Sequence, residues 1–345
     1  MTSYLIRRLL LIIPTFLGIT LLVFTITRFV PGGPVEKIIA ESQRMSFGKG
    51  GGSTPSNGQA GESASSLSPE QIEELKAYYG FDKPVLISYG QWLVKVLKFD
   101  LGTSTRYYDP VWEIIKSKLP VSVYYGLVTT ILTYLICIPL GILKAIKHKT
   151  LIDNTSSVMV LVGYALPGFI LAIILFVWPA ARWDWFPLGG FVSDEFEDLS
   201  LMGQTWDIFH HSVLPILAYM IGSLATMTFL MKNTLMDNLA SDYIRTAIAK
   251  GLSFNRAVFK HAFRNSIIPL ATHFGNNIGL FLAGSFLIEK VFNIDGLGLL
   301  GFESLVERDY PVVLGVLVIS SILGLLGNIL SDVCVALVDP RVKFD

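Results

Sequence analysis

Six stretches of this chain contain no Asp, Glu, Lys or Arg: those between Arg8 and Arg28, Lys118 and Lys144, Asp153 and Arg182, Asp207 and Lys232, Arg264 and Glu289, and Asp309 and Asp332. Each holds at least 18 consecutive residues, the length at which an α-helix crosses a bilayer core of about 30 Å. The spacing predicts an all-α integral membrane protein with six transmembrane helices. Composition agrees, with 52% hydrophobic and only 16% charged residues. The first stretch follows Arg7 and Arg8, as a secretory signal would. It is longer than a signal's apolar region of roughly 7–15 residues, and Pro31-Gly32-Gly33-Pro34 follows where a small-residue cleavage site would stand. It is read as a retained helix, residues 1–30.

Short connections set orientation through their Lys and Arg content. The connection after span 2 carries Lys144, Lys147 and Lys149 against Asp153. The one after span 4 carries Lys232, Arg245, Lys250, Arg256, Lys260 and Arg264 against Asp237 and Asp242. Both are expected inside, which places both termini in the cytoplasm, including the tail 338–345 with Arg341 and Lys343. The connection after span 3 is acidic (Asp184, Asp194, Glu195, Glu197, Asp198), and Trp178, Trp183 and Trp185 fit an outer aromatic belt. The external segment 31–118 contains a Gly/Ser-rich insert, 46–68, too poor in apolar area to offset chain entropy. Ser68-Pro69-Glu70-Gln71 then reads as a capping box opening a short helix that stops at Gly80. Residues 85–99, with Tyr89, Trp92, Leu93, Val96 and Leu97, form a second expected helix, lying along the membrane face or packed on the spans.

Several functions are excluded. The 27 Lys and Arg balance 27 Asp and Glu, with no basic footprint for nucleic acid. Cys137 and Cys334 sit in apolar runs, which supports neither a disulfide framework nor a zinc site. No Walker A loop, His-Glu-x-x-His or Gly-x-Ser-x-Gly motif occurs, so neither ATP hydrolysis nor intramembrane proteolysis has a candidate and the chain is not expected to be an enzyme. No metal or cofactor is expected in it. An ion-coupled secondary transporter, the alternative reading, needs intramembrane charge, and the six stretches hold none. Their polar residues include His210 and His211 in span 4, His273, Asn276 and Asn277 in span 5, and Asn328 in span 6. Helix-helix hydrogen bonding and the lining of a wet pathway are both open to them. His273, Asn276 and Asn277 are the candidates for the translocation path. Gly275 and Gly279 allow tight helix approach, within the chain or at a subunit interface.

The informative segment is the inside loop 233–264. Asp242 to Gly251 is helix-competent, with Ala240, Ile244, Ala247 and Gly251 in one row at steps of four, three and four. That row is small and apolar, with Asp242, Arg245 and Lys250 at its rim, the anatomy of a helix that docks in a groove. A basic loop resting on headgroups would account for the charges but not for the small-residue row.

Arg245-Thr246-Ala247, Ala249-Lys250-Gly251-Leu252-Ser253 and His261-Ala262-Phe263-Arg264-Asn265-Ser266 with Pro269 resemble the EAA loop of bacterial ABC-importer permeases. Leu101-Gly102-Thr103-Ser104, Leu119-Pro120-Val121-Ser122, Leu166-Pro167, Gly296-Leu297-Gly298, Arg308-Asp309-Tyr310-Pro311 and Val338-Asp339-Pro340-Arg341 extend the resemblance end to end, toward the oligopeptide/dipeptide and microcin C-like branch. Arg245-Thr246-Ala247 stands where the loop's name has Glu-Ala-Ala, so the glutamate's role is not carried over. The resemblance implies a type I (MetI-like) permease core, 119–337, of five helices with an extra N-terminal helix. It also implies a coupling helix seated on a cytoplasmic ATPase, through Asp242, Arg245, Thr246, Ala247, Lys250, Gly251, His261, Asn265 and Pro269. The implied partners are a second permease subunit, two ATP-binding cassette subunits or one fused ATPase that bind ATP and Mg, and a periplasmic peptide-binding protein. The implied location is the bacterial inner membrane.

Overall fold

The computed structural model describes residues 2–29, 39, 68–78, 82–282 and 284–339. Apart from Ser68, the insert 46–68 lies outside the described residues, as do Pro31-Gly32-Gly33-Pro34, Gly80 and the tail from Pro340. Among the described residues every regular element is a helix, with one isolated extended bridge between Thr103 and Pro110.

The helices are α1 (Thr2–Phe29), α2 (Pro69–Tyr78), α3 (Val85–Leu97), α4 (Val111–Ile146), α5 (Leu151–Ala165), α6 (Gly168–Arg182), α7 (Leu201–Ala240) and α8 (Asp242–Ala249). They continue with α9 (Phe254–Ala257, Val258–Ala262 and Phe263–Ser266 end to end), α10 (Ile268–Leu282), α11 (Phe286–Val291), α12 (Leu297–Val306) and α13 (Tyr310–Val338). Four of them, α1, α4, α7 and α13, are long and apolar enough to cross a membrane. At 36 and 40 residues, α4 and α7 are about 54 and 60 Å long and overshoot a bilayer core.

Two expected spans take a different form. The third is a pair, α5 and α6, bent by 97°. Pro167 excludes Leu166 from helical backbone, and Leu166 accordingly sits extended at φ −89°, ψ 120°. The fifth stops short. Helix α10 ends at Leu282, Gly284 turns the chain at φ +77°, and α11 begins at Phe286.

The chain divides into two compact units: Met1–Pro14, Ser117–Leu300 and Ile319–Asp345, and Thr15–Lys116 with Gly301–Val318. This differs from the sequence division at 118/119, because Gly301–Val318 joins the external segment. The reason lies at Asp309. Its carboxylate accepts from Ser104 Oγ at 2.5 Å, Thr105 N at 3.1 Å and Arg106 N at 3.3 Å, while Arg106 pairs with Glu303 at 3.2 Å and Glu307 at 2.8 Å. Desolvation works against the Arg106 charge, but the hydrogen bond to Glu303 and the fields of Tyr107 and Glu307 outweigh it and raise its pKa. In the same unit α3 packs on α1. The Tyr89 hydroxyl lies 2.9 Å from Thr20 Oγ1 and donates to Leu17 O at 3.1 Å. The capping box of α2 is formed as expected, with Ser68 N donating to Gln71 Oε1 at 2.9 Å and Gln71 N to Ser68 Oγ at 3.2 Å.

The larger unit has two apolar cores. One gathers Tyr125, Ala172, Leu214, Tyr219, Ile288 and Phe292 from α4, α6, α7 and α11. The other gathers Tyr134, Cys137, Met231, Leu235, Ile244, Ala257, Val258 and Leu270, and it ties α8 and α9 to α4, α7 and α10.

Candidate coupling site

The long helix α7 breaks at Ser241, whose extended backbone (φ −72°, ψ 149°) lets α8 restart at an angle. Two residues past α8, the Gly251 N–H donates to Ile248 O at 2.9 Å and Leu252 N–H to Ala247 O at 3.2 Å. This pair of bonds is a Schellman stop, which requires left-handed backbone at Gly251, here φ +92°. The helix is also fastened from behind. Tyr243 OH donates to Asn238 Oδ1 at 2.7 Å and accepts from Asn265 Nδ2 at 3.2 Å. Ile244, 1% exposed, is inserted into the core beside Ala257 and Val258. Thr234 Oγ1 donates to Ser266 O at 3.0 Å and Ser266 Oγ to Thr234 O at 3.2 Å, joining the end of α9 to α7.

The small-residue row expected to dock is divided: Ala240 and Gly251 are exposed, while Ile244 is core and Ala247 is partly buried. An eight-residue helix must bury one apolar stripe to stay on the protein, and this is the stripe available. The exposed side carries Asp242, Arg245, Thr246, Ala249 and Lys250, flanked by half-exposed Tyr243, Ile248 and Phe254. Arg245 and Asp242 form a 3.6 Å pair in open solvent, worth little to stability. His261, Asn265 and Pro269 are partly buried supports: Asn265 holds Tyr243, and Pro269 sits in the first turn of α10, where a missing N–H has no intrahelical partner to lose. Tyr243, Ile248 and Phe254 are not among the sequence-predicted site residues; the available signal is that Tyr243 and Ile248 flank the small row on the helix and Phe254 follows the Gly251 stop.

On α10 the three path candidates separate. His273 and Asn276 are exposed, whereas Asn277 is 8% exposed and donates to Tyr134 OH at 3.4 Å, which in turn donates to Leu270 O at 3.0 Å. Gly275 and Gly279 pack within the chain, since a Cβ on Gly275 would run into the Gly327 carbonyl oxygen and one on Gly279 would lie 3.1 Å from Gly324 Cα.

Two buried ionic sites are formed by residues that enter the sequence analysis as span boundaries and loop charges. Lys232 Nζ donates to Asp153 Oδ1 at 2.7 Å and Oδ2 at 2.9 Å. Lys144 Nζ lies 3.2 Å from Oδ1 and donates to Ser157 Oγ at 2.6 Å and Ser156 Oγ at 3.0 Å. These residues are 0% (Lys144), 2% (Asp153) and 9% (Lys232) exposed. Helices α4, α5 and α7 each run past their charge and pair it against the others. Glu289, 2% exposed, accepts from Tyr219 OH at 3.0 Å, Ser285 N at 3.2 Å and Leu299 N at 2.6 Å. Gly284, Gly296 and Gly298 wall this carboxylate, and a Cβ at Gly296 would stand 2.7 Å from Oε2. The Gly296-Leu297-Gly298 motif is thus the space Glu289 occupies.

A helical membrane bundle with a clamped, outward-facing helix between two spans is the form of a transport permease. A family profile described as the binding-protein-dependent transport system inner membrane component matches residues 137–344, and the chain belongs to this family. It is a multi-pass inner-membrane protein whose family works with a substrate-binding protein and an ATPase. Across 361 residues it is 40% identical to the peptidoglycan transport system permease protein YejB of Agrobacterium fabrum, covering 100% of this chain and 99% of that one. It is 35% identical over 345 residues to the oligopeptide transport system permease protein AppB of Bacillus subtilis, covering 100% of both. A solved chain of the inward-facing MetNI methionine ABC transporter shares the fold, with a TM-score of 0.51 at 17% identity, covering 66% of this chain and 96% of that one.

Proposed function

We propose that this chain is one half of the translocation pathway of an ATP-driven, binding-protein-dependent peptide importer, oligopeptide/dipeptide or microcin C-like in cargo. The observation that carries the reading is α8: a short helix braced from behind by Ile244 and Tyr243, with its other side left to solvent at the end of a 40-residue helix. That geometry suits a helix pushed by another protein. Force on the Arg245–Thr246–Ala249 side passes through Ile244 into the core shared by α4, α7 and α10, and so to rigid-body rocking of the bundle.

In this reading the chain crosses the membrane six times, α5 with α6 making one crossing and α10 another, and both termini are cytoplasmic. ATP and Mg are held by two cassette subunits or one fused ATPase, and this chain carries no cofactor. A second, homologous permease completes the pore. His273 and Asn276, polar and exposed on α10, face that pore. Asn277 serves helix packing instead.

Peptide import is supported by the transport activities of the relatives, and the test is reconstitution. Co-expressed with a homologous permease and ATPase subunits, the chain is expected to purify in one complex with them. In proteoliposomes with the binding protein, that complex should hydrolyse ATP faster when peptide is present. Peptide uptake by the chain alone, driven by an ion gradient and indifferent to ATP, would overturn the proposal.

A further inference from the structure

In the unit formed by Thr15–Lys116 and Gly301–Val318, a cavity of about 370 Å³ opens between α1, α3 and the start of α13, within the ordinary range for small-molecule sites. Its floor is apolar and aromatic: Phe24, Trp92 and Leu314. Its polar wall carries three cations, Arg28, Lys83 and Lys95, against one carboxylate, Asp100. Three of the four are partly engaged. Arg28 donates to the Lys83 carbonyl, and Asp100 Oδ1 accepts from Gly102 N at 3.1 Å. Lys83 Nζ donates to Gln91 Oε1 at 3.2 Å, a neutral partner.

The site's level in the membrane is set by the helices around it. Helix α1 ends at Phe29 and α13 begins at Tyr310, so the cavity lies where two membrane-capable helices terminate, which is the headgroup layer whichever way the chain is inserted. Helix α3 presents a separate apolar stripe to the surroundings, Leu86 (71% exposed), Ile87, Val94 and Leu97 (72%), while its other side packs on α1 through Tyr89. Such a helix lies in the interface, with apolar side chains among acyl chains and lysines among phosphates.

We propose that this cavity binds the headgroup of an anionic phospholipid, its phosphate held by Arg28, Lys83 and Lys95 and its upper acyl carbons resting on Phe24, Trp92 and Leu314. Converging Arg and Lys favour phosphate, and the apolar floor selects a phosphate that carries a chain over one free in solution.

The full-length chain in detergent, equilibrated with equal amounts of phosphatidylglycerol and phosphatidylcholine of matched chains, gives the test by native mass spectrometry. Phosphatidylglycerol should be retained in preference. Lys95→Gln should reduce that preference on the order of fivefold, and Lys98→Gln, at the residue just past the end of α3 and outside the cavity, should leave it unchanged. Arg28→Gln should act like Lys95→Gln; if loss of its bond to the Lys83 carbonyl unfolds the unit, the Lys95→Gln result decides alone. Equal retention of the two lipids, an equal effect of Lys98→Gln, or displacement of the lipid by millimolar inorganic phosphate would each overturn the proposal.

Discussion

Asp153 holds two lysines from two other helices out of reach of water. Breaking one side of a buried ion pair leaves an uncompensated charge and costs about 3–5 kcal/mol, more than the pair itself contributes over a neutral packing. Asp153→Asn is therefore expected to lower the melting temperature of the purified chain sharply. The double variant Asp153→Asn with Lys232→Met should recover part of the loss, because only Lys144 then stays charged, with Ser156 and Ser157 as partners. An additive double variant would contradict the account. Glu289 gives a second prediction. Its removal in Glu289→Ala strands the Leu299 N–H, at a cost of about 1–3 kcal/mol for a buried group without a partner, and leaves the Ser285 N–H with only its 3.2 Å bond to Tyr219 OH. Thermal unfolding should show Glu289→Gln intermediate between Ala and wild type, since the amide can replace one accepting oxygen but not both. Neither site was legible in the sequence. Charge counting finds where apolar runs stop, and these residues do stop them, but their burial depends on which helices lie beside them.

At the scale of elements, the local chemistry was readable and the tertiary orientation was not. The capping box at Ser68 and the Gly251 stop follow from backbone rules that act within four residues, and both hold in the structure. The inward face of α8 does not follow from such rules, because a row of Ala240, Ile244 and Ala247 looks the same whether it meets a partner or the chain's own core. The 97° bend at Leu166-Pro167 was quoted as a motif, yet only the packing of α6 on α7 shows it to be a corner: a Cβ on Gly168 would stand 2.9 Å from Ala218 O. Glycine positions make the distinction testable. Gly275→Leu should abolish stable insertion or folding, because α10 and α13 touch backbone to backbone at that point. Gly222→Ala, with open space around it, should be tolerated and gain about 0.5–1 kcal/mol from reduced backbone entropy in the unfolded chain. Protease resistance of the two variants in membranes distinguishes them, and equal behaviour would show that the α10–α13 contact carries no weight.

Over the whole molecule, a pore without a motor has to receive work at one place, and α8 is the helix built to receive it. Gly251 is a poor position at which to test this, since any side chain there is strained by φ +92° whether or not a partner docks. Thr246 is exposed on regular helix and outside the brace formed by Tyr243 and Ile244, so a bulky side chain there should block docking and leave the fold intact. Thr246→Trp is expected to keep wild-type melting while eliminating peptide-stimulated ATP hydrolysis in the reconstituted complex. The most direct measurement places a photoreactive amino acid at Thr246 in the co-expressed complex and identifies what it captures, with exposed Leu135 on α4 as the comparison. The account predicts an adduct with an ATPase subunit from Thr246, with a yield that changes on ATP binding, and none from Leu135. Capture of lipid alone at Thr246 would contradict it.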